Sequence, residues 1–111
     1  MSSFPKHNYI RSKKLLMAVC TLECQNCGYG ESQASHANWG GGRGIGKKAD
    51  DNLIAALCLA CHYQVDFGKL TRAEKRRIWT DAHRKTVEKL ISNKQWPIDI
   101  PIPNTSEFPN E

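Results

Sequence analysis

The chain has 111 residues, a hydrophobic fraction of 40% and a charged fraction of 24%, which are ordinary values for one soluble globular domain. It contains no apolar run of the length that crosses a bilayer, so a membrane-spanning protein is excluded. Residues 1–14 lack the apolar centre of a secretory signal, and a cytoplasmic protein is expected. The net charge of +5 favours a polyanionic partner such as nucleic acid.

The N-terminal third predicts one helix and one strand. Residues 1–10 carry few apolar anchors and predict a loose arm. Apolar residues at helical spacing predict a short amphipathic helix over 12–20, with Cys20 as a small buried hydrophobe on its apolar side. Residues 31–39 predict a short strand that ends near His36.

A glycine-rich segment interrupts the middle of the chain. Residues 40–48 predict a flexible basic loop, because glycines alternate there with Arg43, Lys47 and Lys48. We expect these three cations to contact DNA phosphates. Residues 51–57 predict an extended segment, and a short helix over 60–68 ends at a glycine.

The longest predicted element is a C-terminal helix over 71–95. Thr71 and Glu74 form a capping box at its start. Its apolar face comprises Ile78, Ala82, Val87, Leu90 and Ile91, with Trp79 alongside.

The remaining predictions concern four ionisable residues and the C-terminal tail. Lys75 and Arg76 are predicted to bind DNA, although charges on a surface helix often serve solvation alone. His7 and His83 have no supporting neighbours in sequence and are interpreted as surface residues. The proline-rich tail, residues 96–111, is expected to be extended or disordered.

Two Cys-x-x-Cys pairs predict a structural zinc site. Zn²⁺ favours four thiolate ligands in a tetrahedron, and Cys24, Cys27, Cys58 and Cys61 supply them. The alternatives are unrelated thiols or a redox pair, but a redox pair needs no second Cys-x-x-Cys. Thirty residues separate the pairs, so the intervening segment is expected to have a role of its own.

The order of these motifs resembles the HNH endonucleases. The match consists of C-Q-N-C-G, A-S-H-A-N, G-G-G and D-N-L-I-A-A-L-C-L-A-C-H, and it covers residues 20–68. It is closest in outline to the small predicted nucleases of lambdoid phages and prophages. The resemblance implies an α+β fold: a zinc-stapled ββα-metal core over 11–68, flanked by an N-terminal and a long C-terminal helix.

The resemblance also implies a catalytic role for each site residue. His36 would be the general base, Asn52 would brace the hairpin loop, and His62 would bind a catalytic Mg²⁺, Mn²⁺ or Ni²⁺. Asp66 follows His62 by one helical turn and would be a second ligand. The residue before the base is commonly a metal ligand in this family, whereas this chain has Ser35.

Simpler interpretations of the same residues stay open. His36 could be polar surface, His62 a spare zinc ligand, Asn52 a turn cap and Asp66 a solvated carboxylate. The alternatives to a nuclease are a catalytically weak or inactive zinc module that binds nucleic acid, and a protein-binding adaptor. Branched or single-stranded DNA as substrate, the catalytic metal and the oligomeric state are left open. A phage or prophage origin would place the protein in a bacterial cytoplasm.

Overall fold

The computed structural model describes residues 10–37 and 50–103. Its elements are α1 (Lys13–Val19), β1 (Gln33–His36), β2 (Ile54–Leu57), α2 (Leu59–Phe67) and α3 (Arg72–Ser92). The α+β class is confirmed. Four of the five elements lie within segments predicted as helical or extended, and α2 begins one residue before its predicted segment. The predictions for the loose arm before residue 10, His7, the glycine-rich loop, Arg43, Lys47 and Lys48 fall outside the described residues.

The two strands form an antiparallel hairpin whose register pairs Gln33 with Leu57 and His36 with Ile54. Side chains alternate between the faces of a sheet, so Gln33 and Ser35 share one face while Ala34 and His36 share the other. All four residues of β2 are buried. The sheet is therefore covered on both faces.

A cluster that we call the α1 core covers one face. Its buried members are Leu15, Val19, Leu22, Ile54, Ala56, Leu90 and Ile100. Leu15 and Val19 lie one turn apart on α1, and Ala34 of β1 packs against the same cluster. The side of β1 that carries His36 therefore faces α1.

A second cluster, the α2 core, covers the opposite face. Its buried members are Cys24, Ala37, Ala55, Leu57, Val65, Trp79 and Ala82. Val65 belongs to α2, and the indole N–H of Trp79 donates a 2.9 Å hydrogen bond to the carbonyl of Ser35. The side of β1 that carries Gln33 and Ser35 therefore faces α2.

Helix α3 contributes to both cores because it passes the outer edge of β2. The hydroxyl of Thr86 accepts the backbone N–H of Ala56 at 2.9 Å and donates to the carbonyl of Ala82 at 2.7 Å. Trp79, near the start of α3, fills the α2 core, whereas Leu90, near its end, fills the α1 core. Among the described residues, no helix has both the length and the apolarity to cross a membrane.

Local signals fix the helix ends. Ser12 caps α1 by accepting the N–H of Leu15. The predicted capping box is confirmed, since Thr71 and Glu74 bond reciprocally at the start of α3. Gly68 follows α2 and its N–H donates to the carbonyl of Gln64 at 3.1 Å.

Two predictions about burial were wrong. Cys20 is exposed, because it follows the last residue of α1 and lies beyond the buried Val19. His83 is completely buried. Its Nδ1 lies 2.7 Å from the carbonyl of Ile54, and its ring stacks on Trp79 with centroids 4.7 Å apart. A carbonyl acceptor and a stacked aromatic neighbour thus help a histidine to occupy the core.

The ends of the predicted apolar face and the tail also differ from expectation. Ile91 is 43% exposed, since the buried face of α3 runs through Val87 and Leu90 instead. Part of the tail is packed: Ile100 belongs to the α1 core, and the indole N–H of Trp96 donates to its carbonyl at 2.8 Å.

Candidate metal centre and histidine sites

The four cysteines of the two Cys-x-x-Cys pairs converge, as predicted. Their sulfur atoms all lie within 4.8 Å of one another, and the Sγ atoms of Cys27 and Cys58 are 3.7 Å apart. A tetrahedral zinc with Zn–S bonds of about 2.3 Å requires sulfur separations of about 3.8 Å. The sulfur atoms are therefore arranged to bind a metal ion, and their chemistry and spacing fit a structural zinc.

Both cysteine pairs form turns in which backbone N–H groups point at sulfur. The N–H groups of Asn26 and Cys27 lie 3.4 Å from Sγ of Cys24, and the N–H of Cys61 lies 3.5 Å from Sγ of Cys58. Burial alone would raise the pKa of Cys24, but backbone hydrogen bonds from Cys27, Cys58 and Asn26 lower this pKa to about 6. Burial raises the pKa of Cys61 to about 12. Metal binding would release that proton.

The backbone around the first pair explains two of its residue types. Gly28 has a positive φ of 83°, which suits glycine, and its N–H donates to the carbonyl of Cys24 at 3.0 Å. Gly28 thus closes a tight turn directly after the first cysteine pair. The side-chain amide of Asn26 donates to Sγ of Cys61 at 3.3 Å and so links the two pairs.

His62 lies at the start of α2 and is held from two sides. Its Nδ1 is 2.8 Å from Oε1 of Gln33, and its Nε2 is 3.1 Å from Oδ2 of Asp66. When Nδ1 donates to Gln33, the lone pair of Nε2 faces the carboxylate. Two such atoms repel each other unless a proton or a cation lies between them. Histidine ligands of metals commonly donate their other ring N–H to an oxygen in this way.

The spacing of His62 and Asp66 also suits a shared cation. Two ligands at about 2.1 Å from a metal and at right angles are about 3.0 Å apart. The two side chains are 26% and 21% exposed, so an ion could reach them. His62 is not part of the four-sulfur group. The structure thus brings together the two residues predicted as catalytic ligands, and their metal-binding role stays a prediction.

Ser35, at the position where the family commonly has a metal ligand, is completely buried. Its hydroxyl has no hydrogen-bond partner among the residues that the structure describes. It lies on the α2 side of β1, together with Gln33. His62 is hydrogen-bonded to Gln33, which lies two residues before Ser35 in β1. Gln33 is therefore the strand residue that orients this histidine.

His36 pairs with Asp51 at the other end of β1. Its Nε2 lies 2.9 Å from Oδ1 of Asp51, whose Oδ2 accepts the backbone N–H of Ser12 at 2.7 Å. Arg11 adds a positive charge 3.6 Å from the same carboxylate. The carboxylate is 7% exposed and the imidazole 33%. With Nε2–H donating to Asp51, the basic lone pair of His36 resides on Nδ1.

Asn52 is anchored to the C-terminal segment. Its side-chain amide donates to the carbonyl of Pro101 at 3.0 Å, and the residue is only 6% exposed. Its Oδ1 is buried without a hydrogen-bond partner in the described parts of the chain. The predicted bracing of the hairpin loop involves residues outside the described ranges and stays a prediction.

Sequence reasoning missed Asp51 and Gln33, the partners of the two histidines. For Asp51 a signal existed: it directly precedes Asn52 on the segment that returns from the loop after His36. Gln33 had no comparable signal, because its contact with His62 depends on how α2 packs on β1.

The predicted DNA-binding residues on α3 are both partly buried near its start. Arg84, further along the helix, pairs with Asp81 at 2.7 Å. Binding of DNA by Lys75 and Arg76 stays a prediction.

No protein-family profile, curated protein or solved structure matches this chain. The residues of the two histidine sites and the sequence motifs around them therefore indicate the function.

Proposed function

We propose that the protein is a metal-dependent HNH-type endonuclease that hydrolyses phosphodiester bonds in DNA. One observation carries the proposal: each histidine predicted for catalysis lies against a carboxylate, His36 against Asp51 and His62 against Asp66. Paired histidine and carboxylate groups orient an imidazole and fix its tautomer. The net charge of +5 supports an anionic substrate.

His36 acts as the general base. Asp51 accepts its Nε2–H, so Nδ1 takes a proton from the attacking water. The water oxygen then bonds to phosphorus, the bond from phosphorus to the 3′ oxygen breaks, and that oxygen takes up a proton from solvent. Asp51 is held in turn by the N–H of Ser12, so the imidazole has a fixed orientation.

His62 and Asp66 hold the catalytic cation, and Gln33 orients the ring of His62. A bound divalent ion supplies neutralisation of the scissile phosphate and of the departing oxygen. The nitrogen and oxygen ligands at this pair suit Mn²⁺ or Ni²⁺, and Mg²⁺ where water completes the coordination.

The two sites lie on different faces of the hairpin, so the proposal requires that one phosphodiester reach both of them around the edge of β1. A ligand position directly before the base must point to the opposite face, because side chains alternate along a strand. Here Ser35 faces α2, which carries His62, whereas His36 faces α1. The described sheet has two strands, so β1 is an edge strand, and a phosphodiester at this edge could approach both His36 and the His62–Asp66 pair.

The test is cleavage of supercoiled plasmid and of single-stranded DNA with Mg²⁺, Mn²⁺ or Ni²⁺. We expect His36→Ala to lower the rate by about 100-fold or more, the usual contribution of a general base. Asp81→Asn, on the outer surface of α3, is the control and should cleave like the wild type. Unchanged cleavage by His36→Ala, with zinc content and melting temperature retained, would exclude the assigned base.

A second pair of variants tests the cation site. His62→Ala and Asp66→Asn should need a higher concentration of the added metal for half-maximal rate. The expected increase is about 10- to 100-fold, which is the typical loss when residues that support metal ligands are replaced. Both should keep one zinc per chain, because the four-cysteine group does not include them. Loss of that zinc in either variant would contradict the separation of the two metal sites.

A zinc-stapled protein that binds nucleic acid without cutting it is the second candidate. The buried Ser35 favours it, since among the described residues the proposed ligands of the cation are His62 and Asp66 alone. It predicts salt-sensitive binding and no nicking with any of the three metals.

A further inference from the structure

Helix α2 exposes a row of large apolar side chains beside the His62–Asp66 pair. Leu59, Tyr63 and Phe67 are spaced four residues apart and are 70%, 58% and 72% exposed. The rings of Tyr63 and Phe67 are neighbours, with centroids 5.5 Å apart and planes tilted by 50°. Exposure of three such side chains in one row is unusual for a surface helix and indicates a binding surface.

The row lies next to the proposed cation site. Successive residues on an α-helix are 100° apart around the axis and about 1.5 Å apart along it. Tyr63 and Phe67 therefore lie about 100° around α2 from His62 and Asp66, at nearly the same height along the axis. If a ligand bound to the rings of Tyr63 and Phe67, the adjacent parts of that ligand would lie near the imidazole of His62 and the carboxylate of Asp66.

The charges that follow the row favour an anionic ligand. Residues 59–78 contain five Lys or Arg and two acidic residues. Both acids have partners: Asp66 lies against His62, and Glu74 is bonded to Thr71 in the capping box. Lys69 and Arg72, directly after α2, are exposed.

The same charges disfavour a second copy of the chain as the occupant. Two copies packed through their α2 rows would bring the exposed Lys69 of each chain, two residues after Phe67, toward one interface, where like charges repel. Exposed aromatic rings with cations nearby in the chain are instead the combination that binds unpaired nucleotides. The bases stack on the rings, while the cations contact the phosphates.

We infer that Tyr63 and Phe67 form a stacking platform for unpaired bases, so that the substrate is single-stranded nucleic acid or the unpaired part of a branched one. This names the substrate class of the site proposed above and rests on that proposal. The bases of a duplex are stacked on each other and do not offer their faces to the rings.

Fluorescence anisotropy tests the platform with a labelled thymidine oligonucleotide of about 12 nucleotides and a duplex of equal length, without added divalent metal. Tyr63→Ala and Phe67→Ala should each weaken single-strand binding by at least about fivefold, with little effect on the duplex. Tyr63→Phe keeps the ring and should bind like the wild type. Met17→Ala is the control, because Met17 is a 63% exposed apolar side chain on α1.

Three results would overturn the inference. The first is unchanged single-strand binding by both alanine variants. The second is an equal loss for the duplex. The third is a wild-type dimer in sedimentation that Tyr63→Ala converts to a monomer, which would assign the row to self-association.

The binding assay also separates the platform from the catalytic proposal. If the alanine variants bind single strands normally while His36→Ala abolishes cleavage, the platform is excluded and the nuclease stands. If the alanine variants lose binding but no metal supports cleavage by the wild type, the platform stands and the nuclease is excluded.

Discussion

The two faces of the hairpin are held by different kinds of interaction. On the α2 face, four sulfur atoms lie within 4.8 Å of one another and can be joined by one ion. On the α1 face, apolar packing around Leu15 and Val19 is supplemented by hydrogen bonds to Asp51. One face therefore contains a site that can hold a metal ion, and the other contains a buried carboxylate.

The two proposed catalytic histidines are therefore held in place by different parts of the structure. His62 lies four residues after Cys58, so we expect it to lose its fixed position if the zinc is removed. His36 is oriented by Asp51 and Ser12, which belong to the other face. A perturbation confined to one face should thus affect one histidine before the other.

Removing the metal should have the largest effect. Chelation, or Cys58→Ser, forfeits binding free energy on the order of 10 kcal/mol, which is comparable to the whole stability of a small domain. We expect the circular dichroism spectrum to lose its cooperative thermal transition and the zinc content to fall from one per chain to none. Cys20→Ser is the matched control, because this exposed cysteine lies outside the four-sulfur group. A chelated protein with an unchanged melting temperature would show that the cysteines do not hold the α2 face.

Asp51→Asn should have an intermediate effect confined to the α1 face. The carboxylate accepts the N–H of Ser12 and lies against His36, and weakening such charged hydrogen bonds costs about 1–3 kcal/mol. Denaturant unfolding should show this loss while zinc remains bound. The same change at the half-exposed Asp81 should cost less than about 0.5 kcal/mol. Zinc loss in Asp51→Asn would mean that the two faces are not independent.

His83 should make stability depend on pH in a modest way. Burial lowers the pKa of His83 from its ordinary 6.5, so the folded protein keeps the ring neutral. The unfolded chain takes up a proton below that value. The contribution of the neutral His83 ring to the free energy of unfolding is therefore complete above pH 6.5. It declines as the pH falls, by at most about 1.4 kcal/mol per pH unit.

The variant His83→Phe isolates this contribution. It keeps an aromatic ring against Trp79 but cannot titrate. It loses the bond to the carbonyl of Ile54, so it should be less stable at neutral pH, with a flatter decline toward about pH 5. Urea unfolding of both proteins across this range gives the comparison, and any acid release of zinc is common to both. Parallel declines would show that another group causes the pH dependence.

Features that depend on a few residues close together in the sequence could be predicted. The spacing of the cysteines, the Thr71–Glu74 capping box and the periodicity of α3 each depend on a few neighbouring residues, and the structure contains all three. The pairing of the two extended segments into an antiparallel hairpin was implied by the family resemblance, and the structure contains it.

Features that depend on packing could not. The pairing of His36 with Asp51 requires the register of the hairpin and the position of the chain before α1. The burial of His83 requires a carbonyl of β2 at the right place on the facing helix. A polar residue in sequence gives no indication that the fold will supply such a partner.

Residues 50–52 act as a common attachment point for distant parts of the chain. Asp50 accepts the N–H of Ile10 at 3.0 Å, and Asn52 donates to the carbonyl of Pro101 at 3.0 Å. Positions 10 and 101 are thereby brought near the same three residues. A circular permutant that joins residue 101 to residue 10 through a short linker, with new termini elsewhere, should keep the native architecture.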